Sequence, residues 1–392
     1  MSKPVLVLNC GSSSIKFALF DGETEPLPRK PLWAGQVDGI GGESATIRVG
    51  DGRPVTLELG NEAPYQVALR HVRVHVERET GGQPPAALAH RVVHGGSKYA
   101  APVRIDAAVL ADLKSLIPLA PLHQPFALQA IEILLADVPQ LPQIACFDTA
   151  FHRTLPKVEQ MLPLPYAHWE RGIRRYGFHG LSYEYMTVAL PERHGDAARG
   201  RTIVAHLGSG ASLCALHGLK SVATTMGFSA LDGLMMGTRC GSLDPGVILY
   251  LLEHDKLGIG DLTRLLYKSS GLLGVSGLSP SPKALLEVEA TNPRAHAALE
   301  LYVRRIVREI GALTAVLGGL DMLAFTAGVG EHSAVLRERI CRALAWLGLE
   351  IDTDANLANA HTISPASSRV RVAVEPTNEE WTAASHALRT LR

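Results

Sequence analysis

The chain reads as an α/β protein of two lobes, a duplicated hairpin-then-helix unit with a cleft between the lobes. Three observations predict this. The stretch PVLVLNCGSSSIKFALF is an apolar run, a Gly/Ser turn and a second apolar run, so it forms two strands joined by a turn. RTIVAHLGSGASLCAL repeats strand, glycine turn, strand near residue 200. After each hairpin, apolar runs of strand length alternate with amphipathic stretches of helix length, the pattern of α/β architectures.

The elements follow in order. KPLWAGQVDGI and ATIRVGDGRPVTLEL alternate around a DG turn and extend the first hairpin as antiparallel strands. Residues 64–80 are helical, and ALAHRVVHGG is a buried strand ending in a glycine turn. Residues 106–117 and 126–137 are amphipathic helices around PLAPLHQP, and QIACFDTAFH is a strand with a polar tip. In the second half, helices are expected at 245–255, 261–268 and 293–317. MLAFTAGVGEHS is a strand ending in a glycine turn, with a helix over 334–347. RVRVAVEPTNEEW is a strand and turn, and TAASHALRTL closes the chain as a helix.

Bulk properties narrow the function. A chain of 392 residues is long enough for two domains with full cores. The 38 basic and 38 acidic residues give zero formal charge, which argues against a nucleic-acid partner or an anionic membrane surface. The five cysteines are scattered with no CxxC or Cys/His cluster, which argues against a disulfide framework and a zinc site. The N-terminus carries one Lys, Lys3, and enters a strand without the shape of a signal peptide. No apolar run approaches the ~20 residues that span a bilayer. The expected compartment is the reducing cytoplasm.

Several strand ends carry polar groups that a loop does not need for solubility. In Asn9-Cys10-Gly11-Ser12-Ser13-Ser14, followed by Lys16, backbone N–H groups and hydroxyls would face phosphate oxygens while the Lys adds charge. The loop enters a strand, so it is not a GxxxxGK[ST] loop, and none occurs elsewhere. A plain hairpin with solvated serines is the alternative. His206-Leu207-Gly208-Ser209-Gly210 and Gly328-Val329-Gly330-Glu331-His332 are further glycine turns that admit close approach of a ligand. Arg91 and Arg239 are read as lying in apolar-flanked loops. Each is either half of a structural ion pair or a clamp for a carboxylate or a transferring phosphoryl group. Phe178-His179-Gly180 follows a basic stretch containing Arg174 and Arg175, and its His is either structural or catalytic. Asp148 either caps a helix or holds a metal.

NCGSSSIKF, AHRVVHGG, APLHQP, FDTAFH, RYGFHG, HLGSGAS, MGFSALDGLMMGTRCG, SGLLGVSG, FTAGVGEHS and PTNEEW occur in the order seen in acetate kinases, which the chain resembles over nearly its whole length. The resemblance implies the two-lobed actin-like, ribonuclease H-like fold shared with sugar kinases, with residues 1–148 and 380–392 as the first lobe and 149–379 as the second. It implies a homodimer and reversible transfer of the ATP γ-phosphoryl to acetate, giving acetyl phosphate and ADP, with Mg²⁺ or Mn²⁺. It assigns Asn9 and Glu379 to the metal, and Lys16 with Ser12 and Ser14 to phosphate. Arg91 takes the acetate carboxylate, and Val93, Leu122 and Phe178 the methyl group. His179 and Arg239 take the transferring phosphoryl. The nucleotide loops are His206 to Gly210, Ser281-Pro282-Lys283 and Gly328 to His332. Asp148, the family's acid/base, is read here as orienting metal-bound water or His179, because a carboxylate acceptor is already ionised and needs no strong base.

The chain departs from the family pattern at several points. Ser209 replaces an Asn beside the phosphates, and Ser281-Pro282-Lys283 replaces Asp-aromatic/Met-Arg at the adenosine wall. Relaxed base selectivity is therefore expected. Ala230 replaces a Pro beside the acyl pocket, Gln124 replaces an Asn, and His332 replaces an Asn. Propionate kinase, pyrophosphate-dependent transfer, a sugar kinase and a non-catalytic actin-like binding module are the competing readings.

Overall fold

The structure, a computed structural model, describes residues 4–42, 44–58 and 62–392. Lys3 and Leu59, the last residue of the ATIRVGDGRPVTLEL stretch, lie outside the described residues. The chain divides into two compact units. The first comprises Met1–Phe151, Gly180–Tyr185 and Asn378–Arg392, and the second comprises His152–His179 and Met186–Thr377.

The first unit carries strands β1 (Val5–Cys10), β2 (Ser14–Phe20), β3 (Trp33–Asp38), β4 (Ala45–Val49), β5 (Val55–Leu57), β6 (Ala87–Val92), β7 (Val103–Arg104) and β8 (Gln143–Phe147). They form one sheet in the order β5-β4-β3-β2-β1-β6-β8-β7. β1 to β5 pair antiparallel, whereas β6 pairs parallel with both β1 and β8. The second unit carries β9 (Arg201–Leu207), β10 (Ala211–His217), β11 (Lys220–Thr224), β12 (Met322–Thr326) and β13 (Arg371–Val374), in the order β11-β10-β9-β12-β13. Here too two antiparallel pairings lead to β9, and two parallel pairings follow it through β12 to β13. The run β3-β2-β1-β6-β8 of the first unit has the same sequence of pairings. The duplication inferred from two hairpins is thus a duplication of sheet topology.

The apolar run of β1 is continuous because both of its faces are covered. Leu6 and Leu8 join Ile15, Phe17 and Val37 under the helices Pro64–Glu79 and Gln124–Asp137. Val5 and Val7 join Ala18, Phe20, Ala87, Ala89, Ile144 and Cys146 under Ala383, Ala384 and Ala387 of the helix Glu379–Leu391. Small residues on this second face let the helix lie close to the sheet.

The expected helices are present with local signals at their ends. Ala107–Ser115 starts at Asp106, whose side chain accepts from Val109 N. Pro293–Leu317 starts at Asn292, which accepts from Arg294 and Ala295 N, and ends at Gly318 with φ 70°. The helices Gly180–His194, Gly271–Ser276 and Pro282–Val288, and strands β7 and β11, are elements the sequence reading did not separate.

Two local expectations are corrected. Arg91 lies in strand β6, not in a loop. Gly328 to His332 is not a turn but the body of a short helix, Ala327–His332. Glycine-rich sequence has low helix propensity. Here the helix is completed by Arg337, whose buried guanidinium donates through Nη1 to the carbonyls of Gly330 and Glu331, both at 2.8 Å.

Candidate active site

In the first unit, strand alternation places the polar candidates. Side chains two residues apart share a face. On β1, Val5 and Val7 are followed by Asn9; on β6, Ala87 and Ala89 by Arg91; after Ile144 and Cys146 of β8 comes Asp148. Lys16 lies directly opposite Asn9 across β1 and β2. Asn9, Lys16, Arg91 and Asp148 thus extend the face covered by the helix that begins at Glu379. The common pattern, small or apolar, skip, small or apolar, skip, polar, is visible in the sequence. It is the signal that groups Asn9, Arg91 and Asp148, and Lys16 joins them because it lies opposite Asn9.

Arg91 is the hub of this group. Its Nε donates to both Asp148 oxygens (3.0 and 3.1 Å), and its Nη2 donates to Oδ2 (2.7 Å). Its Nη1 lies 3.0 Å from Glu379 Oε2. Burial disfavours the charge, but Asp148 and Glu379 outweigh it and raise the Arg91 pKa above the ordinary arginine range. The ion pair held open for Arg91 is therefore present. Asp148 spends both carboxylate oxygens on Arg91, and its carbonyl accepts the Gly180 N–H at 2.9 Å. Burial pushes the Glu379 carboxyl above its usual range, Arg91 opposes the shift, and Asp148 and Glu380 reinforce it. The group therefore has room for further positive charge.

The Gly/Ser loop closes with the Gly11 N–H donating to the Ser14 carbonyl at 2.8 Å, while Tyr65 Oη donates to the Gly11 carbonyl at 2.7 Å. Ser12 and Lys16 are exposed, and Ser14 is half-buried. Val93 and Leu122 are half-buried. Gln124 is fully buried and clasps the His94 backbone, accepting from its N–H at 3.1 Å and donating to its carbonyl at 3.0 Å.

The second unit holds the other candidates. His206 and Ser212 are directly opposed on β9 and β10, so their side chains share a face. The His179 ring stacks on His206 with centroids 4.2 Å apart, and its Nδ1 lies 2.8 Å from Ser212 Oγ. His179 has φ 58°, the left-handed region, unusual for a non-glycine residue. Phe178 is buried. A Cβ built on Gly210 would lie 3.1 Å from both His179 Nε2 and Arg239 Nη2. The two side chains converge on that glycine.

Arg239 differs from Arg91. Among the described residues no carboxylate lies within ion-pair distance of it, and its Nη1 donates to the Ala230 carbonyl at 2.7 Å. Burial lowers its pKa. A half-buried, uncompensated guanidinium next to an imidazole attracts an anion. Leu207 is buried, Ser209 is exposed, and Gly208 N donates to the Gly210 carbonyl at 3.0 Å to close the hairpin turn. Ser281 caps the helix Pro282–Val288, its Oγ accepting from Ala284 N at 3.4 Å, with Pro282 at the first turn and Lys283 exposed. Gly328, Val329 and Gly330 lie in the short helix, where Ala327 has φ 65°. Glu331 Oε1 accepts from the Thr377 N–H at 3.2 Å, and His332 is exposed. Ser212, beside the His179 ring, His152, whose Nε2 lies 2.9 Å from the Phe178 carbonyl, and Arg337, which completes the short helix, are not singled out by the sequence. Arg337 sits in an amphipathic helix with no local sign of its role, whereas His152 stood in the FDTAFH motif.

Comparison with known proteins agrees with this architecture. The family model described as "Acetokinase family" matches residues 4–385. The acetate kinase of Rhodopseudomonas palustris is 48% identical over 394 residues, covering 99% of this chain and 98% of that protein. The crystal structure of Porphyromonas gingivalis acetate kinase superposes with a TM-score of 0.89 at 35% identity, covering 100% of both chains. A propionate kinase from Francisella tularensis superposes with a TM-score of 0.90 at 34% identity, covering 98% of this chain and 99% of that one. With the duplicated topology and near-complete coverage, the chain belongs to the acetokinase family.

Proposed function

We propose that the chain catalyses reversible transfer of the ATP γ-phosphoryl to acetate, giving acetyl phosphate and ADP, by direct in-line displacement. The observation that carries this reading is the convergence of His179 Nε2 and Arg239 Nη2 on Gly210, with no carboxylate within ion-pair distance of Arg239 among the described residues. Carboxyl phosphorylation brings two anions together and spreads charge over three equatorial oxygens. Donors fixed where that charge develops lower the barrier.

Arg91 takes the acid's carboxylate, and Val93, Leu122 and Phe178 take its methyl group. Asp148 acts by orienting the Arg91 fork rather than the metal-bound water or His179 expected from the sequence, since both its oxygens accept from that guanidinium. Lys16, Ser12 and Ser14 contact phosphate. The loops His206–Gly210, Ser281–Lys283 and Gly328–His332 bind the nucleotide.

Asn9 and Glu379 suit Mg²⁺, or Mn²⁺, because both offer oxygen and the Glu379 carboxyl lacks full compensation. Among the described residues no three His, Cys, Asp or Glu side chains form a metal cluster, as befits a cation that arrives on nucleotide phosphates with few protein ligands. When bound, the cation supplies positive charge to those phosphates.

The protein works as a homodimer in the cytoplasm on this reading. The helix Pro245–Glu253 supports the dimer: it is apolar and buries no residue, and Leu249 and Tyr250 are exposed. Its five cysteines are free thiols, in keeping with a reducing compartment. No helix among the described residues is long and apolar enough to cross a membrane.

A second reading, propionate kinase, is favoured by Ala230 where the family has Pro and by the similarity to the Francisella protein. A hydroxamate assay crossing formate, acetate, propionate and butyrate with ATP, GTP and pyrophosphate tests both. Acetate with ATP is expected to be productive; propionate exceeding acetate in kcat/KM would favour the second reading. Inversion at a chiral γ-phosphate is expected, and retention would require a phosphoenzyme and refute direct transfer.

A further inference from the structure

We propose that His152 is a positioning residue for phosphoryl transfer, acting by holding the backbone that presents His179. The inference rests on the reading of His179 given above. His152 is 2% exposed, and its two ring nitrogens face two defined partners. Nε2 lies 2.9 Å from the Phe178 carbonyl, and Nδ1 lies 2.8 Å from Ser221 Oγ.

A carbonyl only accepts, so Nε2 carries the proton. Burial pushes the imidazole down to about 4, so the ring is neutral near pH 7 and has one N–H to give. Nδ1 therefore accepts from the Ser221 hydroxyl. Ser221 is itself fully buried, and its carbonyl accepts from Thr154 Oγ1 at 2.8 Å. The tautomer of His152 is thus set by the Phe178 carbonyl on one side and by Ser221, in the edge strand β11, on the other.

The contact falls at a strained point. Phe178 immediately precedes His179, whose φ of 58° persists only if its surroundings enforce it. The His152 ring also approaches Gly177, the residue before Phe178, closely. A Cβ on Gly177 (φ 74°) would come within 2.6 Å of His152 Cδ2 and 2.8 Å of Thr224 Cγ2. The side chain of His179 is oriented separately, by Ser212 and by stacking on His206. His152 thus controls the backbone of His179, and Ser212 and His206 control its ring. A misplacement of about 1 Å in a catalytic group costs on the order of a hundredfold in rate.

The test compares His152→Leu, His152→Gln, His179→Ala and the double variant His152→Leu/His179→Ala. His152→Leu is expected to lower kcat roughly thirtyfold, with KM for ATP and for acetate within about threefold of the parent. His152→Gln places an amide N–H near the Nε2 position and is expected to restore kcat to within about fivefold of the parent. In the His179→Ala background, His152→Leu is expected to cost nothing further, because a residue that acts through His179 has no effect once His179 is gone. An equal loss in both backgrounds, or a Gln variant no better than Leu, would overturn the inference. If His152→Leu does not fold, Ser221→Ala is judged by the same KM split and the same double variant. His179→Ala with near-parental kcat would instead strike the underlying reading of His179, and the inference with it.

Discussion

Arg91→Ala and Arg239→Ala are expected to differ sharply in stability, although both arginines are read as anion ligands. Arg91 is 20% exposed and faces Asp148 at 2% and Glu379 at 13%. Its closest approaches are 2.7 and 3.0 Å. At an effective dielectric of about 20, each such contact carries roughly 5–6 kcal/mol of attraction, most of it offset by desolvation. Removing the cation leaves two buried carboxylates without their counter-charge, which costs about 3–5 kcal/mol. For units of this size that lowers the melting temperature by about 10 °C. Arg239→Ala loses one hydrogen bond, at 2.7 Å to the Ala230 carbonyl, and relieves the burial of a charge that no carboxylate among the described residues compensates. Its net change is expected within about 1 kcal/mol. Thermal and urea unfolding of both variants measure the contrast. Steady-state kinetics should show the acetate KM rising in Arg91→Ala and kcat falling in Arg239→Ala. Equal destabilisation by the two substitutions would refute the charge assignment, and equal kinetic effects would refute the division of roles.

Three further outcomes are expected. Gly210→Ala needs no unusual backbone, but its Cβ would press on His179 Nε2 and Arg239 Nη2 at 3.1 Å; kcat should fall about tenfold or more with little change in melting temperature, and an unchanged kcat would deny that these tips flank the reacting group. The ATP to GTP ratio of kcat/KM should lie below roughly a hundred, because Ser281 is spent on its own helix cap and Lys283 is exposed; a larger ratio would mean the base is read elsewhere. The third concerns acid stability. Burial holds His90 neutral, with its pKa pushed down to about 4 although Gln143 favours the charged form. The unfolded state therefore takes up the proton first, and stability is intact above about pH 6.5 and lost as pH falls toward 4, by about 2 kcal/mol at pH 5. Urea midpoints at pH 7.5 and 5 should show a smaller drop in His90→Asn than in the parent, and identical slopes would sink the assignment.

Much of the fold was legible because its signals are local. The hairpins β1–β2 and β9–β10 announce themselves by apolar runs around Gly/Ser turns, and the helix Pro293–Leu317 by Asn292 and Gly318 at its ends. The elements missed are short or packed against neighbours, such as β7 and β11, whose pairing is decided by β8 and β10 rather than by their own residues. Gly328 to His332 forms a helix where its sequence suggests a turn for the same reason, since that helix depends on a guanidinium contributed by Arg337.

The sequence by itself determined the duplicated α/β class, the family, and which residue types stand at the strand ends, because strand alternation and turn chemistry act over a few residues. Only the tertiary structure decided how those residues are used. Arg91 and Arg239 look alike in the chain. The parallel pairing of β6 with β8, and the helix starting at Glu379, bring two carboxylates to Arg91. The loop that carries Arg239 offers it a carbonyl only. Charge compensation in a buried setting depends on groups far apart in the chain and close in space. It is settled by sheet register and helix placement, which no local pattern encodes.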